Sequence, residues 1–183
     1  FALHSQALKQ GRLVHKTILG EPIVFGRAPD GEAFALRDLC PHRGVPLSKG
    51  QMIDGTVECP YHGWRFNRDG QCTRIPSLGI QAKIPPRARV DAYPVEERYG
   101  LVHAFLGDLP EAERPPIMPI FEADDPNWRS HSISFEVPYH YERSIENALD
   151  PAHTEFVHPA MGHQGAEEGY RVPEFQIDRK PWG

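Results

Sequence analysis

Four residues in the N-terminal part of the sequence have the types and the spacing of metal ligands. Cys40-Pro41-His42 is a Cys-x-His pair, and after sixteen intervening residues Cys59-Pro60-Tyr61-His62 is a Cys-x-x-His pair. Each segment therefore offers one thiolate and one imidazole, which suit iron or zinc. Glycine and proline shape both segments, at Pro41, Gly44, Pro46, Pro60 and Gly63. Such residues are expected where backbone amides approach an anionic metal cluster closely.

Two other kinds of site were weighed against a cluster. A Cys₂His₂ zinc site usually joins like residues, as Cys-x₂₋₄-Cys and His-x₃₋₅-His, whereas this chain joins Cys to His in both segments. A chance grouping in a packed core would not need the surrounding glycines and prolines. Two Cys and two His are instead typical of a [2Fe–2S] cluster in which two His replace two Cys on one iron. The spacing therefore favours an iron–sulfur cluster.

The two segments resemble the cluster loops of Rieske proteins, through Cys-Pro-His-Arg-Gly at 40–44 and Cys-Pro-Tyr-His-Gly-Trp at 59–64. The resemblance implies that Cys40 and Cys59 hold the inner iron, and that His42 and His62 hold the outer one. Respiratory-chain Rieske proteins carry an additional cysteine in each loop, and these two form a disulfide. Val45 and Tyr61 stand at those positions here, so the chain is more similar to the oxygenase and ferredoxin branch.

Composition narrows the class of protein. A net charge of −5 lacks the basic balance of a nucleic-acid-binding protein, and no run of eighteen apolar residues predicts a membrane span. Of three cysteines, only Cys72 remains outside the cluster segments. We therefore expect an ordinary packed thiol and a reducing compartment, a bacterial-type cytoplasm. Because the sequence begins with Phe1 and shows no natural stop at its end, we expect a fragment trimmed at both ends.

The pattern of short segments predicts a mainly β chain, α+β overall. Short β-branched segments between glycine and proline turns indicate an antiparallel β domain over residues 1–114. A proline-rich connector follows at 115–127, because prolines at that density exclude helix and central strand. Beyond it, alternation predicts a half-buried strand at 129–137, and a helical period follows at 139–149. The strands expected in the first domain are 13–19, 21–27, 33–37, 56–59, 64–67, 71–75, 89–95 and 100–107.

A second group of candidate ligands lies after this helix, at Asp150, His153 and His158. On one continuous helix the two His would point about 140° apart. Pro151 and Pro159 instead predict a short helix, with Asp150 as its N-cap and His158 leaving its end, so that both imidazoles aim at one point. Taken alone, such a run is more often a set of surface or structural polar groups than a metal site.

Together, the two groups resemble the Rieske non-haem iron oxygenases, such as the phthalate dioxygenase and vanillate demethylase group. The resemblance implies that His153 and His158 belong to a 2-His-1-carboxylate site for Fe(II) that activates O₂. It implies that Asp150 bridges electron transfer from the cluster of a neighbouring subunit, and that Asn147 lies near the iron. In that family the carboxylate ligand comes from farther along, outside this chain. None of the nearby acids matches its context: Glu155, Glu167, Glu168, Glu174 and Asp178.

Two functions follow as hypotheses. The first is the oxygenase α subunit, in which 128–183 begins an α+β helix-grip catalytic domain. Such a subunit takes electrons from an NAD(P)H-dependent reductase or a ferredoxin, forms a homotrimer, and hydroxylates or demethylates a small aromatic substrate. The second is a Rieske electron-transfer protein without oxygenase chemistry, in which the second group is structural. The isolated histidines, including His15 and His103, receive no functional role.

Overall fold

The computed structural model describes residues 1–131, 133–158 and 174–181, with the side chain of Glu155 left out. Contacts divide the chain into two units, Phe1–Glu113 and Arg114–Gly183, and each is described by itself. Among the described residues, no helix has the length and apolar character that crossing a bilayer requires.

The first unit consists of three antiparallel sheets. One sheet has the order β2-β3-β4-β9, the second β5-β6-β7-β8, and the third β1-β11-β10. The strands are β1 Leu3–His4, β2 Val14–Ile18, β3 Glu21–Arg27, β4 Ala33–Arg37, β5 Gln51–Ile53, β6 Thr56–Glu58, β7 Arg65–Phe66, β8 Cys72–Arg74, β9 Ala92–Tyr93, β10 Val95–Arg98 and β11 Leu101–Ala104. Short 3₁₀ helices occur at Ser5–Ala7, Leu47–Lys49, Pro76–Leu78 and Glu111–Glu113. The prediction of a mainly β, antiparallel architecture is confirmed.

The turn between β3 and β4 shows why the sequence forms a hairpin here. The Gly31 N–H donates to the Ala28 carbonyl at 2.9 Å, and Gly31 has a φ of 91°. The Asp30 carboxylate accepts the Glu32 N–H at 3.0 Å. Proline at 29 presets the turn, the aspartate closes it locally and the glycine takes positive φ. The turn sets the register of the two strands, with Arg27 opposite Ala33.

Strand β3 lies between two hydrophobic cores, and Ile23, Val24 and Phe25 are fully buried in sequence. Because side chains alternate across a strand, Val24 packs on one side and its two neighbours on the other. The first core contains Val24, Leu36, Leu47, Val57, Phe66 and both cluster cysteines. The second contains Ile23, Phe25, Ala35, Leu3 and Val102. The cysteines of both cluster segments are thus rooted in one common core.

In the second unit, two helices are formed, α1 at Tyr141–Leu149 and α2 at Thr154–Val157. The predicted helix is confirmed, but the strand predicted at 129–137 is wrong for the residues that the structure describes there. Ile133 and Phe135 are 84% and 77% exposed. A strand needs a partner for its backbone groups, and no strand is formed in the described part of this unit.

Candidate metal centres

The two cluster loops share one backbone hydrogen-bond pattern. In the first, the Cys40 N–H donates to the Val45 carbonyl at 2.9 Å, and the Gly44 N–H donates to the Cys40 carbonyl at 2.8 Å. In the second, the Cys59 N–H donates to the Trp64 carbonyl at 2.8 Å, and the Gly63 N–H donates to the Cys59 carbonyl at 3.0 Å. Each loop is therefore the same turn, with the cysteine first and a glycine four residues later.

Both glycines are required by this turn. Gly44 has a φ of 65° and Gly63 a φ of 68°. This is the left-handed region, which glycine adopts readily and residues with a Cβ disfavour. The sequence signal, glycine at matching positions of two short motifs, thus reports a shared backbone conformation.

The four candidate ligands are sorted by type. Cys40 is 3% exposed and Cys59 2% exposed, and both lie in the first core. Burial, together with the neighbouring Cys59 thiol, raises the pKa of Cys40 to about 11. His42 and His62 are exposed, and their ring centroids lie 4.6 Å apart. A buried pair of sulfurs and an exposed pair of imidazoles result.

This pairwise arrangement fits a two-iron cluster. In the described residues, no three His, Cys, Asp or Glu side chains converge on a point that could hold one metal ion. A zinc site would need four ligands around one ion. A [2Fe–2S] cluster with mixed ligation instead takes two protein ligands at each iron, so that two separate pairs suffice. Ligation removes the proton from each thiol, because the thiolate is the metal-binding form.

Two aromatic side chains hold the imidazoles, and the sequence did not predict either contact. The Trp64 indole lies parallel to the His42 imidazole, at 4.9 Å between centroids and an interplanar angle of 4°. The Tyr61 ring contacts His62 at 3.9 Å, tilted by 46°. Trp64 leaves the second loop and stacks on a ligand of the first, so it also joins the two loops.

The second candidate site lies around α2. His153 occupies the N-cap position, and His158 leaves the helix in an extended conformation with a φ of −104°. The two imidazole centroids lie 5.4 Å apart, at an interplanar angle of 64°. The short helix thus brings the two rings together. Pro159, which was expected to end it, lies outside the described residues.

Asp150 does not act as the N-cap of this helix, contrary to expectation. Its carboxylate accepts the Ala152 N–H at 3.0 Å, which closes a local turn before the helix begins at Thr154. Aspartate commonly forms such turns with the backbone two residues on. An Asp150 oxygen also lies 3.7 Å from His153 Nδ1, too far for a hydrogen bond. Among the described residues that nitrogen is buried without a hydrogen-bond partner.

The remaining predicted residues are placed as follows. The Asn147 carbonyl, in the last turn of α1, accepts the Asp150 N–H at 3.4 Å. In the described side chains, no carboxylate completes a three-ligand site with the two His, and Glu167 and Glu168 lie outside the described residues. Cys72 is buried, as expected of a packed thiol, and burial raises its pKa. Burial lowers the pKa of the partly buried His103.

Comparison with known proteins identifies the class of this chain. Residues 1–94, just over half of the 183, match the Rieske [2Fe-2S] domain. The chain belongs to this family.

Relatives extend the similarity beyond that domain. The chain is 37% identical over 147 residues to the toluene-4-sulfonate monooxygenase system iron-sulfur subunit TsaM1 of Comamonas testosteroni, covering 80% of this chain and 42% of that protein. It is 38% identical over 152 residues to the dicamba O-demethylase oxygenase component of Stenotrophomonas maltophilia, covering 82% and 44%. The crystal structure of dicamba monooxygenase bound to dicamba has a TM-score of 0.75 at 34% identity, covering 86% of this chain and 47% of that one. The chain thus spans less than half the length of these relatives.

Proposed function

We propose that the protein is the terminal oxygenase component of a Rieske non-haem iron oxygenase, which uses O₂ to hydroxylate or demethylate a small aromatic substrate. The observation that carries the proposal is that one chain contains both the paired cluster loops and the adjacent imidazoles of His153 and His158. Its similarity to a monooxygenase subunit and to a demethylase oxygenase component supports this function.

In this proposal Cys40 and Cys59 hold the inner iron of the cluster, and His42 and His62 hold the outer one. When bound, such a cluster takes up and releases single electrons at a potential set by its ligands and their hydrogen bonds. The buried cysteines keep the sulfur side away from water, and the exposed imidazoles form the edge where electrons enter and leave. An NAD(P)H-dependent reductase or a ferredoxin is the proposed donor.

His153 and His158 supply two of the three protein ligands of Fe(II), and the third is a carboxylate from outside this chain. A facial set of two His and one carboxylate leaves positions open for O₂ beside the substrate. Asp150, 3.7 Å from His153, orients that imidazole and links it to the cluster of a neighbouring subunit. Asn147 lies near the iron without binding it firmly.

The domain organisation follows from the same proposal. Residues 1–114 form the Rieske domain, 115–127 the connector, and 128–183 begin the catalytic domain. Electron transfer between subunits requires a closed ring, and a homotrimer built from heterologous contacts provides one. A bacterial-type cytoplasm, where thiols stay reduced, suits a chain whose Cys72 has no second cysteine to pair with outside the cluster loops.

The test is the metal content and turnover of the intact gene product, purified without air. We expect two cluster irons plus a third, a rhombic paramagnetic signal after reduction, and oxygenation with a matched reductase. His153→Ala is expected to keep the cluster signal and to lose both the third iron and turnover. His140→Ala, which removes an exposed imidazole of the same segment, is the matched control and should lose neither.

Two results would contradict the proposal in different ways. If His153→Ala kept its third iron and full turnover, the second group would be structural and the protein an electron carrier. If the unmodified protein held zinc alone and gave no signal on reduction, the cluster assignment itself would be wrong.

A further inference from the structure

One buried carboxylate lies at the entrance of the first cluster loop. Asp38, two residues before Cys40, is completely buried, and it is the one buried charged side chain among the residues that the structure describes. Its oxygens accept two hydrogen bonds from Ser48, from the backbone N–H to Oδ1 and from the hydroxyl to Oδ2, each at 2.6 Å. Buried charge is costly unless it is hydrogen-bonded in this way.

A third bond ties the same carboxylate to the neighbouring sheet. His15 Nδ1 lies 2.6 Å from Asp38 Oδ2, and Thr17 Oγ1 lies 3.3 Å from His15 Nε2. Because a carboxylate only accepts hydrogen bonds, Nδ1 carries the proton in this contact. The Asp38 N–H also donates to the Pro22 carbonyl at 2.8 Å. Strands β2 and β3 thus hold Asp38 in place from behind the loop.

The second cluster loop is closed differently. There, Glu58 pairs with Arg65 and Val57 pairs with Phe66, so that a strand ladder joins the two ends of the loop. In the first loop, β4 ends at Arg37 and the next element is the 3₁₀ helix Leu47–Lys49. Within the described structure no ladder joins its two ends, and the Asp38 side chain makes the connection that backbone pairing makes in the second loop.

We propose that Asp38 is a positioning residue for the cluster. By bonding both the backbone and the side chain of Ser48, it closes the first loop before iron binds and fixes where Cys40 and His42 stand. Placing ligands before the metal arrives reduces the ordering that binding must accomplish. The inference rests on the proposed cluster site, and it assigns a role to Asp38, Ser48 and His15 that the ligands themselves do not reveal.

The decisive variant is Asp38→Asn, which keeps the shape of the side chain. The carboxamide turns an N–H₂ group towards the two Ser48 donors or the His15 donor, so at least one short hydrogen bond is lost. In the intact, cluster-containing protein, we expect release of the cluster to a chelator to become about tenfold faster, the effect typical of losing a hydrogen bond to a charged group. Ser48→Ala removes one of the three bonds and should give a smaller increase.

Glu58→Gln is the matched control. It removes a carboxylate and its 2.7 Å bond to Arg65 at the second loop, where the strand ladder remains. Its cluster should be released at close to the unmodified rate. A second readout separates positioning from general stabilisation. In Asp38→Asn the reduced cluster should give broadened paramagnetic lines, because the ligands take up a range of positions, whereas a purely stabilising residue would lower the melting temperature and leave the line widths unchanged.

The outcomes distinguish this inference from the proposed function. If Asp38→Asn released its cluster no faster than Glu58→Gln and with unchanged line widths, the positioning role would be refuted while the Rieske site remained. Should Asp38→Asn yield no folded protein, Ser48→Ala decides, and a release rate equal to that of the unmodified protein refutes the role. An unmodified protein without any Rieske signal would refute both.

Discussion

The indole of Trp64 lies flat on the imidazole of His42, with 4.9 Å between the ring centroids and 4° between the planes. The backbone of the same tryptophan accepts the Cys59 N–H at 2.8 Å. One residue therefore completes the turn that presents a cysteine of the second loop and covers a histidine of the first. The relative placement of a sulfur ligand and an imidazole ligand depends on it.

Replacing this ring tests how far the stack holds the cluster. Trp64→Leu removes the flat surface under His42, and we expect the cluster to be lost several times faster on exposure to air, followed by its visible absorbance. Trp64→Phe keeps an aromatic face, and aromatic stacking contributes about 0.5–1.5 kcal/mol beyond burial, so its loss rate should be intermediate. Equal rates in the Leu and Phe variants would show that ring stacking has no part in retention.

A close backbone approach joins the end of the first loop to the start of the second. Gly50 follows the 3₁₀ helix, and a Cβ placed there would overlap the Glu58 carbonyl, one residue before Cys59. The neighbouring pair Gln51 and Glu58 begins the β5–β6 ladder. Any side chain at position 50 would therefore push the two loops apart.

We accordingly expect Gly50→Ala to purify with little or no cluster. Overpacking of this kind typically costs about 1–3 kcal/mol, and here the backbone at Glu58 would have to move. Gly20→Ala is the control, because it lies in the β2–β3 turn with open space around it and shares only the strain of a positive φ. Iron and sulfide analysis of both variants is the measurement, and a full complement in Gly50→Ala would contradict the expectation.

Sequence patterns predicted the elements whose signals are local. The β3 and β4 strands have the bounds expected from β-branched residues on either side of a Pro-Asp-Gly turn. The β1 strand was missed because its two residues pair with β11, with Leu3 opposite Val102, and no local pattern records a partner so distant in sequence. The strand expected at 129–137 fails for the related reason that alternation defines a face and supplies no partner.

The candidate site divides in the same way. The residue types of Cys40, His42, Cys59 and His62 and the two glycines could be recognised from spacing, because each loop is a continuous turn. The stack of Trp64 on His42 and the bonds from Ser48 to Asp38 could not, since each depends on how separate segments meet in the folded chain. Asp38 in particular looks like an ordinary surface aspartate until its complete burial is seen.

The two loop glycines allow a graded test of the shared turn. Gly44→Ala and Gly63→Ala both force a residue with a Cβ into the left-handed region, which costs about 1–2 kcal/mol. A Cβ at Gly44 meets open space, whereas at Gly63 it would lie 3.1 Å from Pro76 Cγ. We expect both variants to lose thermal stability and cluster content, with the larger loss in Gly63→Ala. Equal losses in unfolding and iron assays would show that strain alone, without the Pro76 contact, sets the effect.

Far from the cluster, Arg27 and Glu97 give a stability test that depends on pH. Arg27 donates to both oxygens of Glu97 at 2.9 Å, and these hydrogen bonds, more than its charge, hold the pKa of Glu97 below its usual 4.5. A carboxyl whose pKa is lower in the folded state stabilises the fold above pH 4.5, and this contribution disappears as the pH falls through the folded value. Glu97→Gln should therefore cost about 1 kcal/mol near pH 7, and nothing once the pH lies below the folded pKa.

Urea unfolding at a series of pH values measures that difference. Glu96→Gln removes the same charge one residue earlier on β10, where alternation turns the side chain to the other face of the strand. Relative to the unmodified protein, it should show no such loss of free energy between pH 7 and pH 4. If Glu97→Gln kept a constant deficit at every pH, the carboxylate's charge would not be what stabilises the pair, and the side-chain packing beside Arg27 would account for the effect.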